Sequence, residues 1–194
     1  MTTPVRTAYD GARLAPSLTE ATVFVDMMLA SGLTTETELA VYLADHRPAW
    51  KGVGQARNAL RFADGATRSP QETRLRMLWM INAALPRPLV NPPIFGWDGS
   101  LLGLADLLDP DAGTVGEYDG DQHRELNQHP RDNVREEAFE EHGLVVTRVT
   151  SLDLRNREAT AARLARAWFR GESRDRSKDR WTLVQPTWYR RRTA

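Results

Sequence analysis

The sequence predicts an α/β protein: an α/β sandwich with a mixed central sheet, preceded by a small helical lobe. Three observations carry that prediction. Residues 1–67 place apolar side chains at helical spacing between cap signals. At Pro88 the period changes, and short extended runs follow, separated by Asp-Gly and Asp-Pro turns. The β-branched apolar run Leu144-Val145-Val146-Thr147-Arg148-Val149 then lies between two helical stretches, so the order is helix, three strands, helix, strand, helix.

In the lobe, Ser17-Leu18-Thr19-Glu20 reads as a capping box before Val23, Val25, Met27 and Leu29, and Gly32 ends that helix. Thr34-Thr35-Glu36 opens a second helix, which stops before Pro48. A third covers 53–63, with Ala56, Leu60 and Ala63 on one face. Ser69-Pro70-Gln71-Glu72 starts the next helix with an N-cap, a first-turn proline and a second capping box, and it ends at Leu85-Pro86. Residues 89–95 are extended, with prolines suited to an edge. Trp97-Asp98-Gly99-Ser100 is a hairpin turn, 101–108 a strand, 109–113 a turn and 114–118 a short strand ending at Asp119-Gly120. The five-residue connection makes the last two antiparallel neighbours. A helix from about His129-Pro130 to Glu141 or His142, the strand 144–149 and a helix capped by Ser151 complete the fold. The boundaries expected are a lobe at 1–65, an α/β domain at 66–171 and a basic, aromatic arm at 172–194.

The 194 residues contain no cysteine, which excludes a disulfide scaffold, a cysteine zinc site and a cysteine nucleophile and fits a reducing cytoplasm. No apolar signal core opens the chain and no apolar run spans a bilayer, so a cytoplasmic protein without membrane contact is expected. The net charge of zero conceals segregation: residues 98–142 hold 13 acids and 3 bases, whereas residues 143–194 hold 13 bases and 5 acids. That division suits an enzyme whose carboxylates hold cations and whose arginines hold phosphates. It equally suits two stretches that pair with each other.

The chemistry concentrates in 103–123. Glu117 and Asp119 are two apart on a strand and share a face. Asp106, on the preceding strand, can reach that face across the pair. Carboxylates gathered in this way repel one another unless a cation or proton intervenes. Hard oxygen ligands favour Mg²⁺ or Mn²⁺, so Asp106, Glu117 and Asp119 are the candidate metal ligands. His123, four residues past Asp119, is the candidate proton carrier. Asp109 and Asp111 read as turn formers, Glu136, Glu137, Glu140 and Glu141 as a solvated face, and Asp132 and Arg135 as an i, i+3 ion pair. In the arm, arginines alternate with Trp181, Trp188 and Tyr189, a composition that can grip phosphates and stack on bases or pack its rings on the body.

The set Ser69-Pro70-x-Glu72, Asp106, Glu117-Tyr118-Asp119-Gly120-x-x-His123, Arg131-Asp132-x-x-Arg135 and Gly143 to Thr150 resembles the very-short-patch-repair-like branch of the PD-(D/E)XK restriction-endonuclease superfamily. It is most similar to actinobacterial proteins in which that domain follows a winged helix like that of abortive-infection antitoxins; no winged helix is read in this sequence. The resemblance covers about 66–155, and 1–65 resembles the connector of those proteins. It implies a restriction endonuclease-like fold. Asp106 and Glu117 would be the two metal-binding acids, and Glu72 the acid given by the first helix. Asp119 stands where the superfamily has its lysine, and His123 where this branch has its histidine. The activity implied is a Mg²⁺- or Mn²⁺-dependent DNA endonuclease or nickase of defence, repair or mobile-element biology, with Arg148, Arg190, Arg191 and Arg192 on nucleic acid and a homodimer as a possible assembly. The alternative is a catalytically silent module of the same fold that binds nucleic acid or a host protein, as an antitoxin-like or phage regulatory protein would.

Overall fold

The computed structural model describes residues 2–45, 50–120 and 129–190, with backbone alone for 129–134. The chain divides into two units, Met1–Leu78 and Trp79–Ala194.

The first unit is helical: α1 (Pro4–Leu14), α2 (Leu18–Ala30), α3 (Glu36–Asp45), α4 (Val53–Phe62) and α5 (Pro70–Met77). Thr3 and Pro4 start α1, the Thr3 hydroxyl accepting the Arg6 N–H. The core is built largely from small side chains, Ala8, Ala12, Ala21, Ala56, Ala59 and Ala63, with Tyr9, Leu39 and Val53 filling between them. Beneath it lies a buried polar cluster. The Asp26 carboxylate accepts from the Asp64 N–H (2.8 Å), the Thr73 hydroxyl (2.6 Å), the Thr67 hydroxyl (3.4 Å) and the Arg76 guanidinium. Arg76 also donates to the Phe62 carbonyl (2.6 Å). Burial pushes the Asp26 carboxyl above its ordinary value, against the pull of Arg76 and the donors.

This cluster explains why the boundary expected at residue 65 falls later. Thr73 and Arg76 on α5 complete the hydrogen bonding of Asp26 on α2, so α5 belongs to the helical unit. The expected capping boxes are also redistributed. Ser17 accepts the Glu20 N–H, but the two oxygens of the Glu20 carboxylate accept from Nε and Nη2 of Arg74 (2.8 and 2.8 Å). A reciprocal pair forms instead between Thr35 and Glu38.

The second unit is mixed α/β. One sheet has the order β1 (Leu89–Val90), β4 (Leu107–Asp109), β5 (Thr114–Asp119), β6 (Val145–Thr150); it is antiparallel except for the parallel β5–β6 pair. A smaller antiparallel sheet has the order β3 (Leu101–Leu104), β2 (Pro93–Gly96), β7 (Trp181–Thr182). The helices are α6 (His129–Glu141), α7 (Ser151–Arg155) and α8 (Arg157–Glu172). Ile94, Ala105, Leu108, Val115, Phe139, Leu144 and Val146 form its core. On the opposite face of β5, Gly171 of α8 lies so close to Thr114 that a Cβ there would stand 2.2 Å from its hydroxyl.

Three sequence expectations are corrected here. The single strand 101–108 is two strands in different sheets. Its partner bends with it: Asn91, in the left-handed region (φ 49°), donates to the Asp106 carbonyl, and Ala105 donates to the Pro92 carbonyl. The last helix is two, because the Thr150–Asp153 capping box starts α7 and Asn156 breaks the chain and caps α8. The arm at 172–194 is not a separate element. Trp181 and Thr182 pair with β2, and the segment is tied to the 109–113 turn by Arg174 on the Ala112 carbonyl (2.6 Å) and Arg176 on the Asp111 carbonyl (2.6 Å). Among the described residues no helix is long and apolar enough to cross a membrane.

Candidate functional site

Asp106 sits where the chain passes from the second sheet into the first, one residue before the Leu107↔Gly116 pair. It therefore lies across from Glu117 on β5. Each acid is held by backbone of the facing segment: the Asp106 carboxylate accepts the N–H of Tyr118, the residue after Glu117 (2.8 Å), and the Glu117 carboxylate accepts the Asp106 N–H (3.4 Å). Glu117 is only 6% exposed. Arg135 of α6 donates to its second oxygen at 2.5 Å. Burial, and then the negative charge of Asp106, outweigh the pull of Arg135 and push the Glu117 carboxyl from 4.5 up to about 8.

Arg135 reaches Glu117 by crossing β3 at Gly103. A Cβ at residue 103 would stand 2.8 Å from Cγ and Cδ of Arg135 and 3.0 Å from the Phe139 ring. The glycine thus makes room for the stem of the arginine, and Phe139, one turn further along α6, buries itself beside it. The i, i+3 spacing of Asp132 and Arg135 does not suggest this contact, and the Asp132 side chain lies outside the described residues. The signal in the sequence is the pairing of a small residue on the strand before Asp106 with a cation on the following helix.

Asp119 points to the same side of β5 but is reached by different partners. Its side chain is half exposed, and Arg148 stands 4.0 Å away. Arg148, expected on nucleic acid, is bound at 2.5 Å by Glu136, the neighbour of Arg135 on α6. The acidic and basic halves of the sequence therefore pair with each other here, as one of the two charge readings allowed. Glu72 lies in the first unit, buried at the start of α5, where its carboxylate accepts the Arg68 N–H (2.9 Å) and its own N–H goes to Ser69. Arg190 is exposed. His123, Arg191 and Arg192 lie outside the described residues. Asp109 and Asp111 are turn residues as expected: Asp109 accepts the N–H groups of Asp111 and Ala112 and the Trp168 indole.

In kind, the donor set fits a hard divalent cation: two carboxylates side by side, one buried and already holding a proton or sharing a guanidinium. Asp106 and Glu117 would hold it. Among the described residues no three His, Asp or Glu side chains gather at metal-binding spacing. The structure thus joins two of the three expected ligands and sets Asp119 toward Arg148.

No family model matches the chain, and no solved structure matches it. Two curated relatives, "Uncharacterized protein MT2308" of Mycobacterium tuberculosis (strain CDC 1551 / Oshkosh) and "Uncharacterized protein Rv2248" of Mycobacterium tuberculosis (strain ATCC 25618 / H37Rv), are each 30% identical to it over 167 residues, which is 85% of this chain. The chain spans 60% of the length of either relative.

Proposed function

We propose that this chain is a Mg²⁺- or Mn²⁺-dependent DNA endonuclease or nickase, acting in the cytoplasm in defence, repair or mobile-element biology. The proposal includes membership of the very-short-patch-repair-like branch of the PD-(D/E)XK superfamily, and a homodimer as the assembly that would bring two sites to two strands. The observation that carries it is the Asp106–Glu117 pair: two acids locked opposite each other, with Glu117 buried and its carboxyl pushed up to about 8. Environments that raise a carboxyl in this way cluster where a cation or a proton is handled. Asp106 and Glu117 hold the ion, Arg135 orients Glu117, and Glu72, Asp119 and His123 take the supporting roles that the resemblance assigns. When bound, such an ion activates water and neutralises charge on a phosphodiester. Arg148 and Arg190 to Arg192 are the phosphate contacts of this reading.

The test is plasmid nicking by purified protein with Mg²⁺ or Mn²⁺. Asp106→Ala and Glu117→Ala are each expected to abolish it, and cleavage that survives both refutes the assignment. A second reading, the silent binding module, is favoured by Arg135 already occupying one oxygen of Glu117 and by Asp119 facing Arg148. Calorimetry separates the two. No heat of Mn²⁺ binding at millimolar metal, with nucleic-acid or protein binding intact, selects the module.

A further inference from the structure

We propose that the hairpin end of the second sheet is a stacking platform for single-stranded nucleic acid, formed by Trp97, Trp188, Arg180 and Arg190. The proposal rests on the nuclease reading for the class of its ligand; it shares Arg190 with that reading and adds Trp97, Trp188 and Arg180, which that reading does not use. Trp97 is 70% exposed and Trp188 59%, unusual for the largest apolar side chain. Both stand on a fixed frame. The Trp97 N–H bonds to the Arg180 carbonyl (3.1 Å), fastening the β2–β3 turn to the strand that enters β7. Gly99 of the same turn lies against Pro186, to whose carbonyl Tyr189 donates. Trp188 and Tyr189 make T-shaped contacts with the buried Phe95, at 6.2 and 4.9 Å between ring centres. Trp188 also meets the Tyr189 ring edge-to-face (5.8 Å between centres), and the part of it outside these two contacts is exposed.

Two cations share this end. Arg180 and Arg190 are exposed, and no described residue pairs with either guanidinium. The nearby acids are engaged elsewhere. Asp98 accepts the N–H and hydroxyl of Ser100 (2.9 and 2.6 Å), and Asp179 is gripped by Arg174 through two nitrogens (2.9 and 2.6 Å). Exposed indoles beside guanidiniums that no described residue pairs complement a polyanion that offers free base faces. A duplex keeps its bases stacked and offers such a surface only phosphates, so the occupant is a single strand.

Fluorescence anisotropy of a labelled oligothymidylate of about 15 nucleotides tests this, with the wild-type chain in EDTA so that binding is read without cleavage. Trp97→Ala is expected to weaken binding about tenfold, and Trp97→Tyr to restore most of it, because a phenol ring also stacks. Trp188→Ala should act in the same direction. Arg180→Ala and Arg190→Ala should each lower the slope of log affinity against log salt by about 0.7. A duplex of equal length should bind with an affinity that Trp97→Ala leaves unchanged. Wild-type affinity in both alanine variants of the tryptophans overturns the platform, as does equal loss in Trp97→Ala and Trp97→Tyr. A chain that binds the oligonucleotide through Trp97 but leaves DNA uncut with Mn²⁺ fails the nuclease reading and keeps the platform; a chain that cuts DNA and binds equally well without either indole does the reverse.

Discussion

Glu117→Gln replaces the buried carboxyl by a neutral group of the same shape, the isostere of its protonated form. In the fold the carboxyl is raised from 4.5 to about 8 by burial and by Asp106, so the folded state holds the proton more tightly than the unfolded chain does. Stability from this group is therefore fully present below the ordinary value and is lost as pH rises through about 8. A displacement of that size corresponds to about 5 kcal/mol between the two limits. The glutamine variant carries no such dependence. It should match the wild type within about 1 kcal/mol at pH 5 and exceed it by about 3–5 kcal/mol at pH 9. Urea denaturation across that range, followed by tryptophan emission, measures the difference. Five of the six tryptophans lie in the second unit, so the signal reports the unit that holds Glu117. A flat difference between pH 5 and 9, or a variant less stable at high pH, refutes the assignment of a buried, proton-holding Glu117. The same titration with Mg²⁺ at pH 8 tests the ion. Saturation a hundredfold above the dissociation constant should stabilise the wild type by about 2.7 kcal/mol and leave Glu117→Gln nearly unmoved. An equal response in both proteins removes Glu117 from the ligands.

Two further substitutions test the frame. Gly103→Ala places a methyl 2.8 Å from the Arg135 stem and 3.0 Å from Phe139; it should cost about 1–3 kcal/mol in denaturation and reduce nicking by detaching Arg135 from Glu117. Unchanged stability and activity would show that the stem does not cross there. Arg76→Met leaves the buried Asp26 without its cation and should destabilise the helical unit by about 3–5 kcal/mol in thermal melts read by circular dichroism. Adding Asp26→Asn to that variant should recover part of the loss, and a double variant worse than the single refutes the charge argument.

Regular periodicity made much of the fold legible. Helices α2, α3 and α4, the β5 and β6 runs and the α6 helix lie where apolar spacing and cap residues put them; α1, which starts at Thr3 and Pro4, is not picked out as an element. What periodicity could not carry was the bend at Asn91 and Asp106. A strand that leaves one sheet for another keeps its alternation, and only the partner's left-handed Asn91 reports the turn. The break at Asn156 was hidden because each neighbouring turn is a good helix by itself. In the site, Asp106 and Glu117 were legible because strand alternation and a five-residue turn dictate which residues face each other. Arg135 was not, because its contact depends on the approach of α6 across β3, a tertiary distance that no local spacing encodes. The tail reads only as a basic, aromatic arm because a two-residue edge strand has no period. What holds it is the pairing with β2 and the guanidinium of Arg174 on backbone carbonyls.

Helix α6 decides what the carboxylates can do. Its consecutive residues Arg135 and Glu136 carry opposite charges to neighbouring strands: Arg135 to Glu117 on β5, and Glu136 to Arg148 on β6, which in turn faces Asp119. The segregated charges of the sequence become an alternating ladder across the sheet. At the buried end, desolvation and the charge of Asp106 oppose ionisation of Glu117 more strongly than Arg135 favours it. A proton, or a cation of higher charge, settles the buried end. Asp119, already beside a cation in a half-exposed position, gains less from either. Arg135, for whose stem Gly103 makes room, therefore competes with any cation for the second oxygen of Glu117.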